Sequence, residues 1–385
     1  MYLILFLYLC SAMQDTEQLK YLIALPLLPE VGLHTSRKLL EYFGSAEAVF
    51  LAKETDWLTV PNIRRETVKT VLSGRAAAIK RAEQEAAFIE KHGISTFALT
   101  DEDYPYRLRE CPDAPLLLYG KGRFRLNEGR FLAVVGTRMP SERGKDLCRQ
   151  IVTDLAERVP DLTIVSGLAY GIDVTAHKAA ISSGIPTLII PGHGVDRIYP
   201  AVHRKVAVEA LTKGGILTEY MTGTEPDRQN FVARNRIIAG LCDATLVVES
   251  RKKGGSLITA DMANGYSRDV FAVPGRPEDE ASRGCNNLIK QQKAALVENA
   301  DDIIGFMQWE SRSKQPAVQT ELFEELTAEE EALLDMLRGE PDGMHVNLLV
   351  MQTARPYSEI SSTLLMMEMR GLVRPLPGGL YKALK

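Results

Sequence analysis

The sequence predicts an α/β protein built around a parallel sheet with helices on both faces. Residues 131–297 alternate between short runs rich in Val, Ile and Leu and longer helical patterns. Strands buried on both faces are typical of parallel sheets, in which helical crossovers connect one strand to the next. Several apolar runs end at a glycine-containing turn that leads into a helix, as at 131–140, 163–173 and 245–260. Such turns lie where open α/β sheets bind anions.

The first residues are apolar, but they do not predict a membrane span. The run MYLILFLYLC at 1–10 is much shorter than a spanning helix, which needs about 20 residues. It also lacks the basic residues that open a signal peptide. We expect translation to start at Met13, with a weak export signal as the alternative.

Residues 13–75 predict a helical N-terminal domain. Its helices are expected at 35–43, 46–51, 57–60 and 64–72. The turns at 28–32 and 61–63 resemble those of a helix-hairpin-helix or SAM-like unit, in which hairpin backbone N–H groups hold phosphate. Glu30 and Asn62 stand where such hairpins usually have glycine. The alternative is a small helical domain that serves packing alone.

Residues 76–308 form the predicted sheet domain, with its core at 131–297. The segment before the core contributes a helix at 76–92, a strand at 94–99 and an apolar approach at 115–119. Strands of the core are expected at 131–136, 162–166, 186–191, 215–219, 245–249, 269–273 and 295–297. Helices are expected at 141–158, 173–183, 201–212, 230–240, 256–266, 285–293 and 300–308.

Residues 309–327 are polar and predict a linker, and residues 328–385 predict a separate domain. Helices expected at 328–338, 346–351 and 357–370 are followed by a Pro-Gly-Gly turn and a last aromatic strand. This order is typical of a winged helix. The domain has six basic and eight acidic residues, whereas winged helices that read DNA are usually basic. We therefore expect protein–protein contact rather than DNA reading.

Composition narrows the classes of function. The chain has 385 residues, 45% of them hydrophobic, and a net charge of −4, which fits two or three globular domains and no generally basic nucleic-acid binder. Five cysteines occur without a CxxC pair or regular spacing, so we expect neither a disulfide framework nor a metal site. The sequence also lacks GxGxxG and Walker motifs, and we expect no cofactor.

Two turns at strand ends carry the first candidate residues. Arg138 follows a glycine at the end of the first core strand, and Ser141 can cap the next helix. The second core strand ends at Ser166, and its turn contains Gly167 and Gly171, which allow backbone amides to approach an anion. Position and turn chemistry favour phosphate contact by Arg138 over a simple ion pair with a carboxylate.

The segment FVARNR is the most informative stretch of the sequence. Phe231, Arg234, Asn235 and Arg236 lie near the start of an otherwise apolar helix. Cations contact phosphates and an aromatic ring stacks on bases, which is the combination that single-stranded nucleic acid requires. In the alternative interpretation Phe231 belongs to the core and the arginines form salt bridges.

A basic, glycine-rich turn opens a later helix. Lys252 and Lys253 precede Gly255 and Ser256, and a helix N-terminus of this composition favours anion binding, although such cations are also typical of a solvated surface. Lys205 begins another helix and adds positive charge. From 131 to 305 there are 21 basic and 21 acidic residues. A positive rim, rather than net charge, would therefore attract a polyanion.

Seven motifs follow one another in the sheet domain. They are GTRxPS at 136–141, SGLAxGID at 166–173, YPAxH at 199–203, FxARNRIIAG at 231–240, GSLITA at 255–260, VFAVPG at 270–275 and GCNxLI at 284–289. This ordered set closely resembles the DNA-processing protein A (DprA/Smf) family. One departure is Gly254, where the family usually has Ser, and another is 291–293, where it tends to have a Gly-Ala pair.

The resemblance implies an extended Rossmann-like domain that binds single-stranded DNA without catalysis. It implies a cytoplasmic protein that protects incoming DNA and loads the RecA recombinase onto it during natural transformation. It also implies a homodimer formed around residues 288–296 and no membrane association. The residues expected to contact DNA are Arg138, Ser166, Gly167, Gly171, Lys205, Phe231, Arg234, Asn235, Arg236, Lys252, Lys253, Gly255 and Ser256.

The alternative function is an enzyme that acts on a small phosphorylated nucleotide, of the phosphoribohydrolase type. It would use the same turns together with an acid such as Asp173 or Glu249. The histidines at 177, 193 and 203 are further candidates for proton transfer, but neither HExxH nor GxSxG accompanies them. We therefore expect these histidines to be core or hydrogen-bonded residues, and we expect the chain not to be an enzyme.

Overall fold

The centre of the larger unit is a nine-stranded sheet, counted over the residues that the structure describes. The computed structural model describes residues 18–309, 326–340 and 343–384. The chain divides into two compact units, Met1–Arg312 and Ser313–Lys385. The expected start at Met13 and most of the expected linker, residues 310–325, lie outside the described residues.

Seven neighbouring strands of this sheet run parallel, in the order β6-β5-β4-β3-β7-β8-β9, among the described residues. β2 pairs with β6, and β1 with β2, in antiparallel register. The predicted parallel core is thereby confirmed. The strands are β1 (Ser95–Ala98), β2 (Leu117–Gly122), β3 (Arg130–Val135), β4 (Leu162–Ser166), β5 (Thr187–Ile189), β6 (Gly215–Thr218), β7 (Ala244–Val247), β8 (Asp269–Ala272) and β9 (Ala295–Leu296).

Helices cover both faces of the sheet. They are α5 (Tyr106–Arg109), α6 (Glu142–Arg158), α7 (Ile172–Ser182), α8 (Arg204–Ala210), α9 (Arg228–Leu241), α10 (Gly255–Gly265), α11 (Arg283–Lys290) and α12 (Ala300–Met307). On one face, α9, α10 and α11 contribute Ile237, Ala260 and Leu288 to a buried cluster. On the other face, α6 and α12 contribute Ile151 and Ile303 to a second cluster.

The strand order creates one switch point, between β3 and β7. From β3 the chain proceeds through β4 and β5 to β6, and α9 then returns it to β7 on the other side of β3. β3 consequently pairs in parallel with both β4 and β7. The loops that leave the carboxyl ends of β3 and β7 diverge there, and this crevice is where open α/β sheets bind ligands.

The apolar approach at 115–119 overlaps an additional strand of the same sheet. β2 lies antiparallel to β6, with Tyr119 opposite Thr218. The pairing requires close contact between backbones, because a Cβ on Gly122 would lie 2.3 Å from the carbonyl oxygen of Gly214. The sequence shows the apolar run, but the direction of the strand depends on tertiary pairing that local patterns do not contain.

Residues before the sheet form a helical layer. Residues 18–24 are helical, and four helices follow. The helices predicted at 64–72 and 76–92 are wrong as separate elements, because one helix runs through both and through Gly74. The four helices are α1 (Leu33–Phe43), α2 (Ala46–Leu51), α3 (Glu54–Trp57) and α4 (Arg65–His92).

Both turns of the predicted hairpins contain a residue in the left-handed region. Glu30 has φ 62° and Asn62 has φ 66°, although both positions usually carry glycine in such hairpins. The hydroxyl of Thr67 donates to the Glu30 carboxylate at 2.8 Å, which ties the first turn to α4. The carboxylate places negative charge beside the turn that would otherwise receive a phosphate.

The C-terminal unit has the predicted winged-helix architecture. It combines three helices with a three-stranded antiparallel sheet in the order β10-β12-β11, counted over the described residues. Its core is separate and includes Leu334, Leu349 and Leu364. The elements are α13 (Ala328–Arg338), β10 (Met344–His345), α14 (Val346–Thr353), α15 (Tyr357–Met369), β11 (Val373–Leu376) and β12 (Leu380–Ala383).

Candidate nucleic-acid interface

A groove of about 820 Å³ lies at the switch point. Its walls come from the turns after β3 and β7, from the start of α9 and from the start of α10. A second cavity, of about 800 Å³, lies between α1 and residues 99–116. We place the candidate site in the groove because Arg138, Phe231, Arg234, Asn235, Lys253, Gly255 and Ser256 all line it.

The turns after β3 and β7 are fastened together by Glu249. The backbone N–H of Thr137 donates to the carbonyl oxygen of Glu249 at 2.7 Å. Both the N–H and the hydroxyl of Ser141 donate to the Glu249 carboxylate at 2.8 Å. Ser141 also caps α6 by accepting from the N–H of Gly144. The loop that carries Arg138 is therefore held at both ends, while the Arg138 side chain is exposed.

The turn after β4 is organised by the buried carboxylate of Asp173. Its oxygen accepts from the backbone N–H groups of Gly167 at 3.2 Å and Ala169 at 3.3 Å. Gly171 has φ 81°, and a Cβ there would lie 2.2 Å from the carbonyl oxygen of Thr137. The glycine thus permits the turns after β3 and β4 to meet. The amide of Gly167 is engaged inside the protein and does not point to the groove.

Arg234 supplies positive charge from beneath the groove. Only 4% of the residue is exposed, and its Nη1 donates to the carbonyl oxygen of Gly167 at 3.0 Å. Its Nε donates to the side-chain oxygen of Asn235 at 3.2 Å. Burial lowers the pKa of Arg234 to about 10, and the nearby Asp173 opposes that shift. Burial likewise raises the pKa of Asp173, with Arg234 acting against it.

The Phe231 ring, which lines the groove, is stacked on a second aromatic ring. The rings of Phe231 and Tyr199 stack with centroids 5.7 Å apart and an interplanar angle of 25°. The Arg138 guanidinium lies 5.8 Å from the centroid of the Phe231 ring. Tyr199 is 47% exposed, so it offers a ring face at the surface. The sequence analysis did not name Tyr199 among the candidate residues, although it belongs to the YPAxH motif.

The N-terminus of α10 faces the groove through the glycine-rich turn. Lys252 and Lys253 are exposed. Among the described residues, a Cβ on Gly255 would meet no atom within 4 Å, so space is open for an approaching anion. The hydroxyl of Ser256 is buried and donates to the Ser250 hydroxyl at 2.9 Å. Ser256 therefore shapes the turn, while its own side chain is engaged.

Six predicted residues do not line the groove, namely Ser166, Gly167, Gly171, Lys205, Arg236 and Lys252. The Ser166 hydroxyl is buried and donates to the carbonyl oxygen of Val134 at 2.7 Å. Arg236 pairs with the Glu219 carboxylate and donates to the carbonyl oxygen of Asp113 at 2.6 Å. Lys205 is exposed on α8, within 3.9 Å of Glu209, and does not line the groove.

The candidate histidines hold internal hydrogen bonds. His177 Nδ1 contacts the Thr187 hydroxyl at 2.7 Å, and His193 and His203 contact the carbonyl oxygens of Gly194 and Leu168. Within the described ranges, no group of three or more His, Cys, Asp and Glu side chains is placed to hold a metal ion. In the same ranges, no helix is long and apolar enough to cross a membrane.

Fold and site together define a Rossmann-like α/β protein with a cationic, aromatic-lined groove and an appended winged helix. The family model for DNA recombination-mediator protein A matches residues 95–308, and the DprA winged helix domain matches residues 315–379. Protein Smf of Synechocystis is 32% identical over 96% of this chain and all of its own length. The chain belongs to the DprA/Smf family of DNA-processing proteins.

Other relatives agree in sequence and in structure. The DNA processing protein DprA of Streptococcus pneumoniae is 37% identical over 61% of this chain and 86% of its own length. The crystal structure of DprA from that species superposes with a TM-score of 0.55 and 33% identity, over 71% of this chain and 98% of the other. A structure of DNA processing protein A from Helicobacter pylori, which concerns single-stranded DNA binding, has a TM-score of 0.51 and 30% identity over 56% of this chain and 95% of its own.

Proposed function

We propose that this chain binds single-stranded DNA in the groove and acts as a non-enzymatic protein that protects incoming DNA. The observation that carries the proposal is that Phe231, the Arg138 guanidinium and the N-terminus of α10 share one groove. A ring beside cations matches the stacked bases and phosphate backbone of a single strand. The Helicobacter pylori relative, whose structure concerns single-stranded DNA binding, supports the same role.

The predicted residues take different parts in this proposal. Lys252, Lys253 and the backbone at Gly255 receive phosphates, since a helix N-terminus and nearby cations favour anions. Phe231 stacks on a base, and Tyr199 extends the stacking surface. Lys205 and Arg138 continue the positive rim. Arg236 pairs with Glu219 away from the groove. The other predicted residues shape the site from within: Ser166, Gly167, Gly171, Arg234, Asn235 and Ser256.

The geometry favours binding over nucleotide-processing chemistry. The alternative function requires an acid such as Asp173 or Glu249 to act on a substrate. Asp173 accepts hydrogen bonds from two backbone amides of its own turn. Glu249 accepts from the amide and hydroxyl of Ser141. Carboxylates bonded in this way position the turns, and this argues for a scaffold that holds a polyanion rather than a catalytic acid.

The proposal extends to partners. We propose that the chain forms a homodimer through residues 288–296, loads RecA onto the bound strand during transformation, and acts in the cytoplasm. Among the described strands β9 pairs with β8 alone, so its outer edge offers unpaired backbone groups for a second copy. Adding RecA to the DNA complex tests the loading step: faster RecA filament assembly than on bare DNA is expected, and an equal rate would remove RecA from the proposal.

The binding proposal is tested by fluorescence anisotropy with labelled oligo(dT) and with duplex DNA. We expect tighter binding of the single strand and strong salt dependence. Phe231→Leu should weaken binding by about 1–3 kcal/mol, the typical contribution of one stacked base. Lys253→Ala should lower the salt slope by about 0.7, the contribution of one phosphate contact on a single strand.

Arg125→Ala provides the matched control for charge. Arg125 is exposed and precedes the amino end of β3, at the opposite end of the strands from the groove. The variant removes one positive charge and should leave affinity unchanged. Equal affinity of the wild type and a Phe231→Leu/Lys253→Ala double variant would contradict the proposed site. Turnover of a nucleoside monophosphate would support the enzymatic alternative.

A further inference from the structure

Arg236 points away from the groove that its neighbours line. Phe231, Arg234 and Asn235 line the groove, and Arg236 follows Arg234 by two positions, which is about 200° around a helix. Its side chain is 12% exposed and that of its partner Glu219 is 18% exposed. Arg236 also donates to the carbonyl oxygen of Asp113 at 2.6 Å. The guanidinium thus connects α9 to two loops behind it.

The contacts of both loops are themselves fixed. The Asp113 carboxylate accepts from the Tyr266 hydroxyl at 2.7 and 2.8 Å. One oxygen of Glu219 is bonded to Arg236, and the other finds no hydrogen-bond partner among the described residues. The negative charge of Glu219 is therefore compensated by Arg236, because a buried carboxylate without a partner is unfavourable.

The segment that begins at Glu219 is anchored to the N-terminal helical layer. Three residues on, the N–H and hydroxyl of Thr222 donate to the Glu85 carboxylate at 2.9 and 2.6 Å. Glu85 lies buried on α4 and pairs with Arg81 at 2.9 Å, and Arg81 donates to the carbonyl oxygen of Thr222 at 2.6 Å. Segment 219–222 is thus held between α4 and α9.

The same segment also contacts the start of α9 directly. The Tyr220 hydroxyl donates to the carbonyl oxygen of Asn230 at 3.2 Å, and Asn230 precedes Phe231. The position of the Phe231 ring is therefore set from two sides. One side is the Tyr220 contact at the first turn of α9, and the other is the Arg236–Glu219 pair further along the same helix.

We propose that Arg236 is a positioning residue that, with Glu219, holds α9 so that Phe231 and Arg234 present their groups to DNA. The inference rests on the proposed function of the groove. It assigns no phosphate contact to Arg236, in contrast to the expectation from the sequence. It also makes α4 a contributor to DNA affinity through Glu85, without any contact between α4 and the strand.

Salt dependence separates positioning from contact. The affinity of the full chain for oligo(dT) is measured over a salt series for the wild type, Arg236→Met, Glu219→Gln and the double variant. Arg236→Met should weaken binding on the order of tenfold with an unchanged salt slope, because a buried partner is left alone. The double variant should recover most of the affinity. Lys253→Met serves as the control, and its slope should fall by about 0.7.

Arg236→Lys keeps the test decisive if Arg236→Met does not fold. Lysine retains the charge but lacks the planar fork that reaches both Glu219 and Asp113. We expect weaker binding with an unchanged slope, whereas a phosphate contact would keep near wild-type affinity. A fall in slope for Arg236→Met equal to that of Lys253→Met, without recovery in the double variant, would overturn the inference. A wild-type chain that does not bind oligo(dT) would refute the proposed function, and the inference with it.

Discussion

At the scale of single residues, Arg234 and Arg138 show how one residue type takes two roles at one site. Arg138 is exposed and lies against the Phe231 ring, so it can move to meet a ligand. Arg234 is buried, and a pKa of about 10 keeps it charged at neutral pH. A fixed charge below the surface contributes a positive potential that does not depend on side-chain ordering during binding.

His177 is a second buried residue whose state follows from its contacts. The Thr187 hydroxyl donates to the carbonyl oxygen of Ile164 at 2.9 Å, so it must accept from His177 Nδ1. Nε2 is then the unprotonated nitrogen, and it finds no hydrogen-bond partner among the described residues. Burial lowers the pKa of His177 to about 3 from 6.5. The imidazole is therefore neutral in the folded protein throughout the range from pH 4 upwards.

This neutral histidine should make the protein less stable in mild acid. Between pH 6.5 and about 3 the unfolded chain binds a proton at His177 that the folded chain does not. Stability is therefore lost as pH falls through about 6.5, and at about pH 5 the loss is about 2 kcal/mol relative to neutral pH. Urea unfolding followed by circular dichroism at both pH values measures it.

His177→Asn isolates the effect from other titrating groups. Asparagine can donate from the position of Nδ1 and does not titrate. The variant is expected to be less stable than the wild type at pH 7, and the difference should shrink by about 2 kcal/mol at about pH 5. A difference that stays constant with pH would show that His177 is not the residue responsible.

At the scale of elements, Gly74 shows why a local pattern misplaced a boundary. The sequence predicted one helix at 64–72 and another at 76–92, but α4 continues through Gly74 between them. A Cβ on Gly74 would lie 2.5 Å from Cδ of Pro29 and 2.7 Å from its Cγ. The glycine therefore permits the first hairpin to pack on the helix, and it does not end the helix.

Gly74→Ala should consequently destabilise the protein, against the usual trend. Alanine in place of glycine inside a helix normally stabilises by about 0.5–1 kcal/mol. Here the added methyl group meets the Pro29 ring, and overpacking should cost about 1–3 kcal/mol. Gly305→Ala in α12 is the matched control, since a Cβ there meets no described atom within 4 Å, and it should be neutral or stabilising. Thermal unfolding measures the stability of both variants. A Gly74→Ala variant more stable than the wild type would contradict the packing argument.

The periodicity of apolar residues predicted those elements that bury one regular face. It did not predict features that depend on contacts between residues far apart in the sequence. Apolar runs and glycine turns predicted the parallel strands and their helices, and the same kind of pattern predicted the winged helix. The sequence offered a salt bridge of Arg236 only as an alternative, and it could not identify the partner, because Glu219 is 17 positions away. The stacking of Tyr199 on Phe231 was not predicted for the same reason, since it depends on how distant segments of the chain meet.

At the scale of the whole molecule, the edge of the sheet is the surface that we expect to form the proposed homodimer. β9 ends the sheet among the described strands, and it presents Leu296, which is 46% exposed. Phe306 on α12 is also exposed. A short strand with open backbone groups and nearby apolar side chains suits pairing with a second copy. In a two-fold dimer each protomer brings its own groove.

Leu296→Asp should therefore separate the proposed dimer into monomers. In a two-fold interface every substitution occurs twice, so one change places two like charges close together. Sedimentation velocity is expected to report a dimer for the wild type and a monomer for the variant. Val208→Asp is the control, because Val208 is similarly exposed on α8, and it should remain dimeric.

The same variant links assembly to DNA binding. A strand long enough to reach both grooves binds the second one at a high effective concentration, so the dimer should prefer long oligo(dT) over a short one. Leu296→Asp should abolish this preference and leave the affinity for a short oligonucleotide unchanged, because the groove is built within one chain. If Leu296→Asp weakened binding of the short oligonucleotide as well, the edge strand would have to support the groove itself, and the two functions would not be separable.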